Sequence, residues 1–547
     1  MKKRKDKKNI ATVVLMLVSI VLCTLSACKE NPRYGEPIFG TVVDPRPIVQ
    51  TTHGHVMGEN REGVAIFRGI PYGADCDGEY RFKEPRPAEN WEGVKDCTKN
   101  GFYAMQEGCS ISASPGALGN YFNGGHPELF GTAEEQQNEN CLVLNVLSPG
   151  LDNEKRPVVV YIHGGGFATG SGTLVLGADK WAREENLVIV GVNHRLNAFG
   201  YLYLGCFDSA YASSGMAGML DLVLALQWVK DNISRFGGDP SQVTIMGESG
   251  GGMKVSTLMT MGKAKGLFQK AIVESGSGVV GNFSVEQATK ETKKLLNKLQ
   301  IEEADWRKLL TIPADSLKWK LKDVTLQPVA DQINLNYQAD KHITASDISK
   351  HVPLLVGSSA DEFGVFLPYG KMGITWENIR ERLLAGGLLE EQNVDTVLKV
   401  FKETNLKNDD AEHTFVKIQS LSHFLGGGSY HQALAKALQG SAPVYHYFIE
   451  YDTPSTQTPE LSCAWHTADL PLQMRIVLHS EMEPLSKMMA HAWAAFIRTG
   501  NPSTNQLPWP EFTEKEPQVM VFDHKTRVET DPLRPIREVL RKNLLFN

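Results

Sequence analysis

Val243-Thr-Ile-Met-Gly-Glu-Ser-Gly-Gly-Gly252 decides how this chain is read. Val243 to Met246 is a short apolar run with β-branched residues, which predicts a buried strand. It runs straight into Gly247-Glu-Ser249-Gly-Gly251, and the residues after Gly252 read as a helix. A serine in G-x-S-x-G carries meaning only in this context of strand, tight turn and helix. Glycines around Ser249 remove Cβ atoms that would clash on a strained turn, and such a turn lifts the hydroxyl to the rim of a sheet. A glycine-rich turn without chemistry fits the pentapeptide equally well, so the surrounding chain has to discriminate.

Upstream, Pro157-Val-Val-Val-Tyr-Ile162 reads as a second buried strand and delivers His163-Gly-Gly-Gly166-Phe167 onto a loop. Three bare peptides in a row can approach a ligand closely and turn their N–H groups toward developing negative charge. Leu187 to Val192 predicts another strand. Asp221 to Asn232 has helical spacing, with Leu222, Ala225, Leu226 and Val229 on one face. Alternation of strands and helices implies an α/β fold whose mainly parallel sheet is covered on both faces. Val49 to Gly69 alternates as antiparallel strands do. Pro353 to Glu362 reads as strand then loop, Tyr445 to Ile449 as a strand, and Cys463 to Pro471 as a loop before a helix around His491 to Phe496. Residues 280–345 read as charged and helical.

The first 28 residues differ from the rest. Six Lys/Arg lie within residues 2–8, Ile10 to Ala27 is uncharged and mostly apolar, and Leu25-Ser-Ala-Cys28 follows. Basic start, apolar stretch and small residues at the cut form a secretory signal. Leu-Ser-Ala-Cys resembles the lipobox of bacterial lipoproteins, which makes Cys28 the expected lipidated first residue. A retained signal anchor is the alternative, because the apolar stretch is near spanning length. The expected organisation is a signal peptide over 1–27, an anchor and Pro/Gly-rich tether over 28–46, and one domain over 47–547 in the cell envelope. Without residues 1–27, 50 basic and 62 acidic residues remain, a formal charge of −12, which argues against a nucleic-acid partner. The anchor would make the membrane a partner; no pattern in the chain specifies an oligomeric state. Six cysteines follow Cys28, and in an oxidising compartment they permit 15 connectivities. His53 and His55 share a strand face, but no carboxylate or cysteine cluster accompanies them, so no metal site is expected.

Taken in order, Phe67-Arg-Gly-Ile-Pro-Tyr72, Glu139-Asn-Cys-Leu-Val-Leu-Asn-Val146, His163-Gly-Gly-Gly-Phe167, Asn232 to Pro240, Gly247 to Gly252, Ala464-Trp-His466 and Thr499-Gly-Asn-Pro502 resemble the carboxylesterase type B (cholinesterase-like) family of α/β-hydrolases. The resemblance runs from about residue 47 to the C-terminus and implies the α/β-hydrolase fold with large loop and helical insertions. It implies a serine hydrolase of carboxylic esters acting through an acyl-enzyme, with no metal or organic cofactor and a small-molecule ester as substrate. Ser249 falls at the nucleophile, His466 at the general base and Glu362 at the orienting acid, with Asp361 its rival next door. The oxyanion hole falls on the N–H groups of Gly165, Gly166 and Gly250, and Glu248 on a residue that either helps order the site or serves as a structural turn residue. An imidazole base predicts activity falling in acid with an apparent pKa of about 6–7. Two other outcomes stay open: a silent binding or adhesion module on the same scaffold, or the same triad acting on amides or carbamates.

The chain also departs from the family. Gly250 stands where alanine is usual, which implies a looser loop. The family's loop disulfide starts near the position of Ala104, where this chain has no cysteine; Cys109 lies five residues later and is expected to pair with Cys141. Cys76 and Cys97 lie outside the usual pattern and are the candidates for a second bridge.

Overall fold

The computed structural model describes residues 46–107, 137–276, 282–336, 347–367, 370–387, 389–404, 410–424, 428–453, 463–477 and 479–543. The signal peptide, Cys28, the tether before residue 46 and Cys109 lie outside the described residues.

An eleven-stranded sheet carries the fold. Its strands are β1 (Glu59–Arg61), β2 (Val64–Pro71), β3 (Val143–Ser148), β4 (Arg156–Ile162), β5 (Val188–Val192), β6 (Gly238–Glu248), β7 (Lys270–Glu274), β8 (Leu354–Ser359), β9 (Val444–Ile449), β10 (Gln518–Phe522) and β11 (Arg527–Thr530). Their spatial order is β11-β10-β9-β8-β7-β6-β4-β5-β3-β2-β1. From β5 across to β10 every pairing is parallel. Antiparallel pairings extend the sheet at both ends. This is the α/β-hydrolase architecture that the sequence predicts. A small separate sheet pairs Ile48–Gln50 with His55–Met57 and the latter with Val94–Asp96.

Strand composition explains the layering. In β4, Val158, Val160 and Ile162 face one apolar layer, shared with Leu222, Ala225, Leu226 and Val229 of helix α1 (Ala217–Asn232). Val159 and Tyr161 alternate onto the other layer. Side chains leave a strand on opposite faces in turn, so a strand apolar at every position needs cover on both. Helix α2 (Gly250–Leu258) follows the serine turn directly, and α3 (Ala411–Phe424) packs on the Glu362–Val365 turn that follows β8. Helix α4 (Glu483–Thr499) covers the second face with Met489, Trp493, Phe496 and Ile497. Over 282–336 the helical expectation holds for Val285–Leu299 and for short turns at Glu303–Leu310 and Ala314–Lys318.

The expected disulfides are corrected. Cys76, Cys97 and Cys141 are buried free thiols. Cys97 is held at the end of the small sheet, its N–H donating to Met57 O (2.8 Å) and its carbonyl accepting from Arg68 N (2.7 Å). Cys76 is held by Asn140, whose Oδ1 accepts its N–H at 2.8 Å, and its own thiol turns to Ala74 O. Cys141 is unpaired as well, so the Cys109–Cys141 bridge has no support.

Candidate active site

Two adjacent strands bring the serine and the glycine loop together. Ile162, the last residue of β4, stands opposite Gly247 of β6, so His163 and Glu248 leave the sheet side by side. Carboxyl ends of parallel strands are where α/β folds build their clefts. Ser249 has φ 56° and ψ −125°, a backbone region that costs on the order of 1–3 kcal/mol for a non-glycine residue. Its N–H donates to Glu274 O (2.8 Å), which fixes the turn against β7. The side chain is half-buried.

The glycines make a close approach possible. A Cβ on Gly251 would lie 2.0 Å from Ile162 O, and one on Gly250 would lie 2.2 Å from Gly166 O. The expected looser loop at Gly250 is therefore corrected: loss of the methyl lets the loop close onto the helix start. Gly165 and Gly166 have φ of +83° and +60°, which L side chains adopt rarely. Among the described residues, the N–H groups of Gly165, Gly166 and Gly250 find no protein acceptor.

On the other side, β8 ends at Ser359 and the chain turns through Asp361 and Glu362. Glu362 is fully buried and its Oε1 accepts from Ser275 Oγ (2.6 Å) and Ser359 N (2.8 Å). Its Oε2 meets Nδ1 of His466. Asp361, one residue earlier, turns away: its Oδ1 meets His413 Nε2 at 2.8 Å and its Oδ2 accepts from Ala464 N at 3.1 Å. Asp361 also donates its own N–H to Ala464 O. It thus holds the segment that carries His466, while Glu362 holds the ring.

His466 Nε2 lies 3.2 Å from Glu248 Oε1, although that oxygen has no aligned hydrogen bond. Burial works against an imidazolium here, but Glu248 and Glu362 outweigh it and raise His466 to about 9. Burial pushes the Glu248 carboxyl well above the usual carboxylate range, with His466 pulling it back and Asp469 adding to the rise. The two groups face one another and titrate as a pair. Among the described residues, no hydrogen bond joins Ser249 Oγ to His466; catalytic hydrogen bonds often tighten only when substrate arrives. Phe366, largely exposed, sets its ring 5.3 Å from that of His466.

Several supporting residues escaped the sequence reading. Ser275, Ser359, His413 and Lys254 each touch a site element. A lysine on a helix that must be buried behind a serine turn was the one signal available for Lys254. Among the described residues no group of three or more His, Cys, Asp or Glu is arranged to hold a metal ion.

Comparison with known proteins gives one family. Residues 45–536 match the Carboxylesterase family. The para-nitrobenzyl esterase of Bacillus subtilis (strain 168) is 32% identical over 518 residues, covering 90% of this chain and 98% of that protein. Liver carboxylesterase 1 of Oryctolagus cuniculus is 31% identical over 569 residues, covering 92% and 93%. Among solved structures, a carboxylesterase of Geobacillus stearothermophilus at pH 6.2 superposes with a TM-score of 0.76 at 33% identity, covering 90% of this chain and all of that one.

Proposed function

The chain belongs to the Carboxylesterase family and is a carboxylic ester hydrolase, and from that premise we propose that it works through an acyl-enzyme on Ser249. Ser249 Oγ attacks the ester carbonyl carbon while His466 Nε2 takes the hydroxyl proton. Glu362, on Nδ1, keeps the ring in the tautomer whose Nε2 lone pair is free. The carbonyl oxygen gains the negative charge and is received by the N–H groups of Gly165, Gly166 and Gly250. Collapse breaks the C–O bond, and the leaving alkoxide takes the proton from His466. Water then repeats the sequence on the acyl-serine, returning the acid and the free hydroxyl.

The single observation that carries this reading is the placement of three N–H groups without acceptors against a serine held at positive φ. Donors left open beside the hydroxyl are free to receive the charge that develops on an ester oxygen. The test is turnover of p-nitrophenyl acetate, butyrate and octanoate by the detergent-solubilised chain beside Ser249→Ala. Turnover lost in Ser249→Ala supports the reading; hydrolysis that survives the substitution overturns it.

We further propose that Cys28 is lipidated and tethers the enzyme on the outer side of a bacterial membrane. The support is the run Leu25-Ser-Ala-Cys28 behind a basic and apolar leader. Fatty-acid labelling that disappears in Cys28→Ala is the expected result, and an unmodified N-terminal peptide by mass spectrometry refutes it.

A further inference from the structure

Lys254 is 0% exposed, on α2 one turn beyond Gly250. Its Nζ donates to Gly166 O at 2.8 Å and His163 O at 3.1 Å, and lies 5.5 Å from the centre of the Phe167 ring. Among the described residues its hydrogen-bond acceptors are neutral carbonyls, and no charged group counters its burial. A buried ammonium with no counter-ion is expensive, and a cation in the first half of a helix also opposes the helix dipole. Burial alone lowers this amine to about 7. Neither packing nor helix stability explains its presence; an apolar straight chain would serve both better.

The hydrogen bonds show what it does. In a trans peptide the N–H of one residue is fixed antiparallel to the carbonyl of the residue before it. In the loop, Gly164 O meets His163 Nδ1 (2.9 Å), and Gly165 O accepts from Ala168 N and Thr169 N. Those two peptides carry the N–H groups of Gly165 and Gly166. The carbonyls on either side of them, at His163 and Gly166, are the two that Lys254 binds. Every peptide of the run is thus held by its oxygen, and the ammonium closes both ends. The partner that accepts the close approach is Gly250, where an added Cβ would meet Gly166 N and Cα at 2.5 Å as well as its oxygen.

We propose that Lys254 is the positioning residue of the oxyanion loop, clamping the His163 and Gly166 carbonyls so that the Gly165 and Gly166 N–H groups are aimed at the acyl oxygen. The proposal rests on the serine-hydrolase reading above and adds to it a residue that never touches substrate. Lys254 and Gly250 act as a pair: one draws the loop down onto α2, the other leaves room for it.

The test compares Lys254→Met and Lys254→Gln with wild type, using p-nitrophenyl butyrate and an alkyl trifluoromethyl ketone, which forms an oxyanion on the serine. Lys254→Met keeps the straight chain and removes the donor. Its expected result is a fall in kcat of about 10²-fold, the scale of a misplaced reacting group. KM should stay within about threefold, and ketone affinity should weaken in parallel with kcat. Thermal stability should change little, because removal of a buried cation offsets the loss of its two hydrogen bonds. Lys254→Gln retains one donor and should recover part of both losses; it carries the same comparison if the Met variant does not fold. A kcat and a ketone affinity both within twofold of wild type overturn the proposal, as does a loss confined to KM. Wild-type turnover that vanishes in Ser249→Ala tests the underlying reading separately.

Discussion

His466 Nε2 lies 3.2 Å from Glu248 Oε1, on the ring edge opposite the one bound by Glu362. One imidazole therefore stands between two buried carboxyl groups, and both favour its cationic form. This shifts the pH expectation that an ordinary histidine gives.

As the base proposed above, His466 works only when neutral, so kcat/KM is expected to rise as pH passes upward through its titration. With the ring raised to about 9 by Glu248 and Glu362 against burial, the acid limb should sit above the ordinary value of about 6.5. Glu248→Gln removes one source of the rise, so its limb should move to lower pH. The buried Glu248 carboxyl is itself pushed up; whenever it holds a proton its pull on the ring vanishes, and the limb reports the pair. A pH–rate profile of wild type beside Glu248→Gln checks this. A wild-type limb at 6.5 that does not move in the variant counts against it.

Asp361 and Glu362 are neighbours with separable effects. Glu362→Gln leaves the ring without its carboxylate partner, and kcat should fall by about 10⁴-fold, the scale known for such a change in a serine triad. Asp361→Ala should act first on stability, by about 1–3 kcal/mol, because it removes the buried acceptor that His413 Nε2 and the Ala464 N–H share. Burial opposes ionisation of Asp361, but His413 and Lys417 outweigh it and hold the carboxyl below its usual value. The stabilisation from Asp361 is thus complete above the unfolded value of about 3.9 and is lost as pH falls through the lower folded value. Thermal melts and steady-state kinetics on both variants separate the roles. Equal kcat losses with equal melting shifts would show that they act as one unit.

Much of this was legible in the chain itself. Strands near Val243, Pro157 and Leu187 announce themselves by unbroken β-branched runs, and the helical face through Leu222, Ala225, Leu226 and Val229 is the face that packs. Ser249, the glycine loop and His466 could be placed because local turns and a co-linear order of short motifs carry them. What the sequence could not supply was direction. Asp361 and Glu362 are adjacent; the resemblance favours the second, and the Asp361–Trp465 bridge with the Asp361–His413 contact shows how the first is turned away from the ring. Lys254 is separated from His163 by 91 positions, so its target exists only once β4 and β6 are side by side. Cysteine pairing failed for the same reason: a count of six bounds connectivities but contains no distances.

Thiol chemistry checks the corrected cysteines. Burial pushes the Cys76 and Cys97 thiols up to about 12, which leaves almost no thiolate at neutral pH. Alkylation of the native protein with mass mapping should label Cys206, which is exposed, and leave Cys76, Cys97, Cys141 and Cys463 unlabelled until denaturant is added. The melting temperature should not fall in reductant. Recovery of a Cys76–Cys97 cross-linked peptide from non-reduced digests would contradict the free thiols.

Gly250→Ala is the sharpest single change that the structure offers. The new methyl would stand 2.2 Å from Gly166 O and 2.5 Å from Gly166 N and Cα, and main chain cannot relieve a clash by changing rotamer. The loop must move, and the N–H groups of Gly165 and Gly166 move with it. Loss of one aimed donor costs about 10²–10³ in kcat, so a fall of that size is expected with little change in KM. Helix α2 itself should welcome alanine, which has a helix propensity higher than glycine by about 1 kcal/mol, and the melting temperature should hold. Combined with Lys254→Met, the losses should be less than multiplicative, because both changes displace the same peptide at Gly166. Fully multiplicative losses would mean that Gly250 and Lys254 act on different parts of the site.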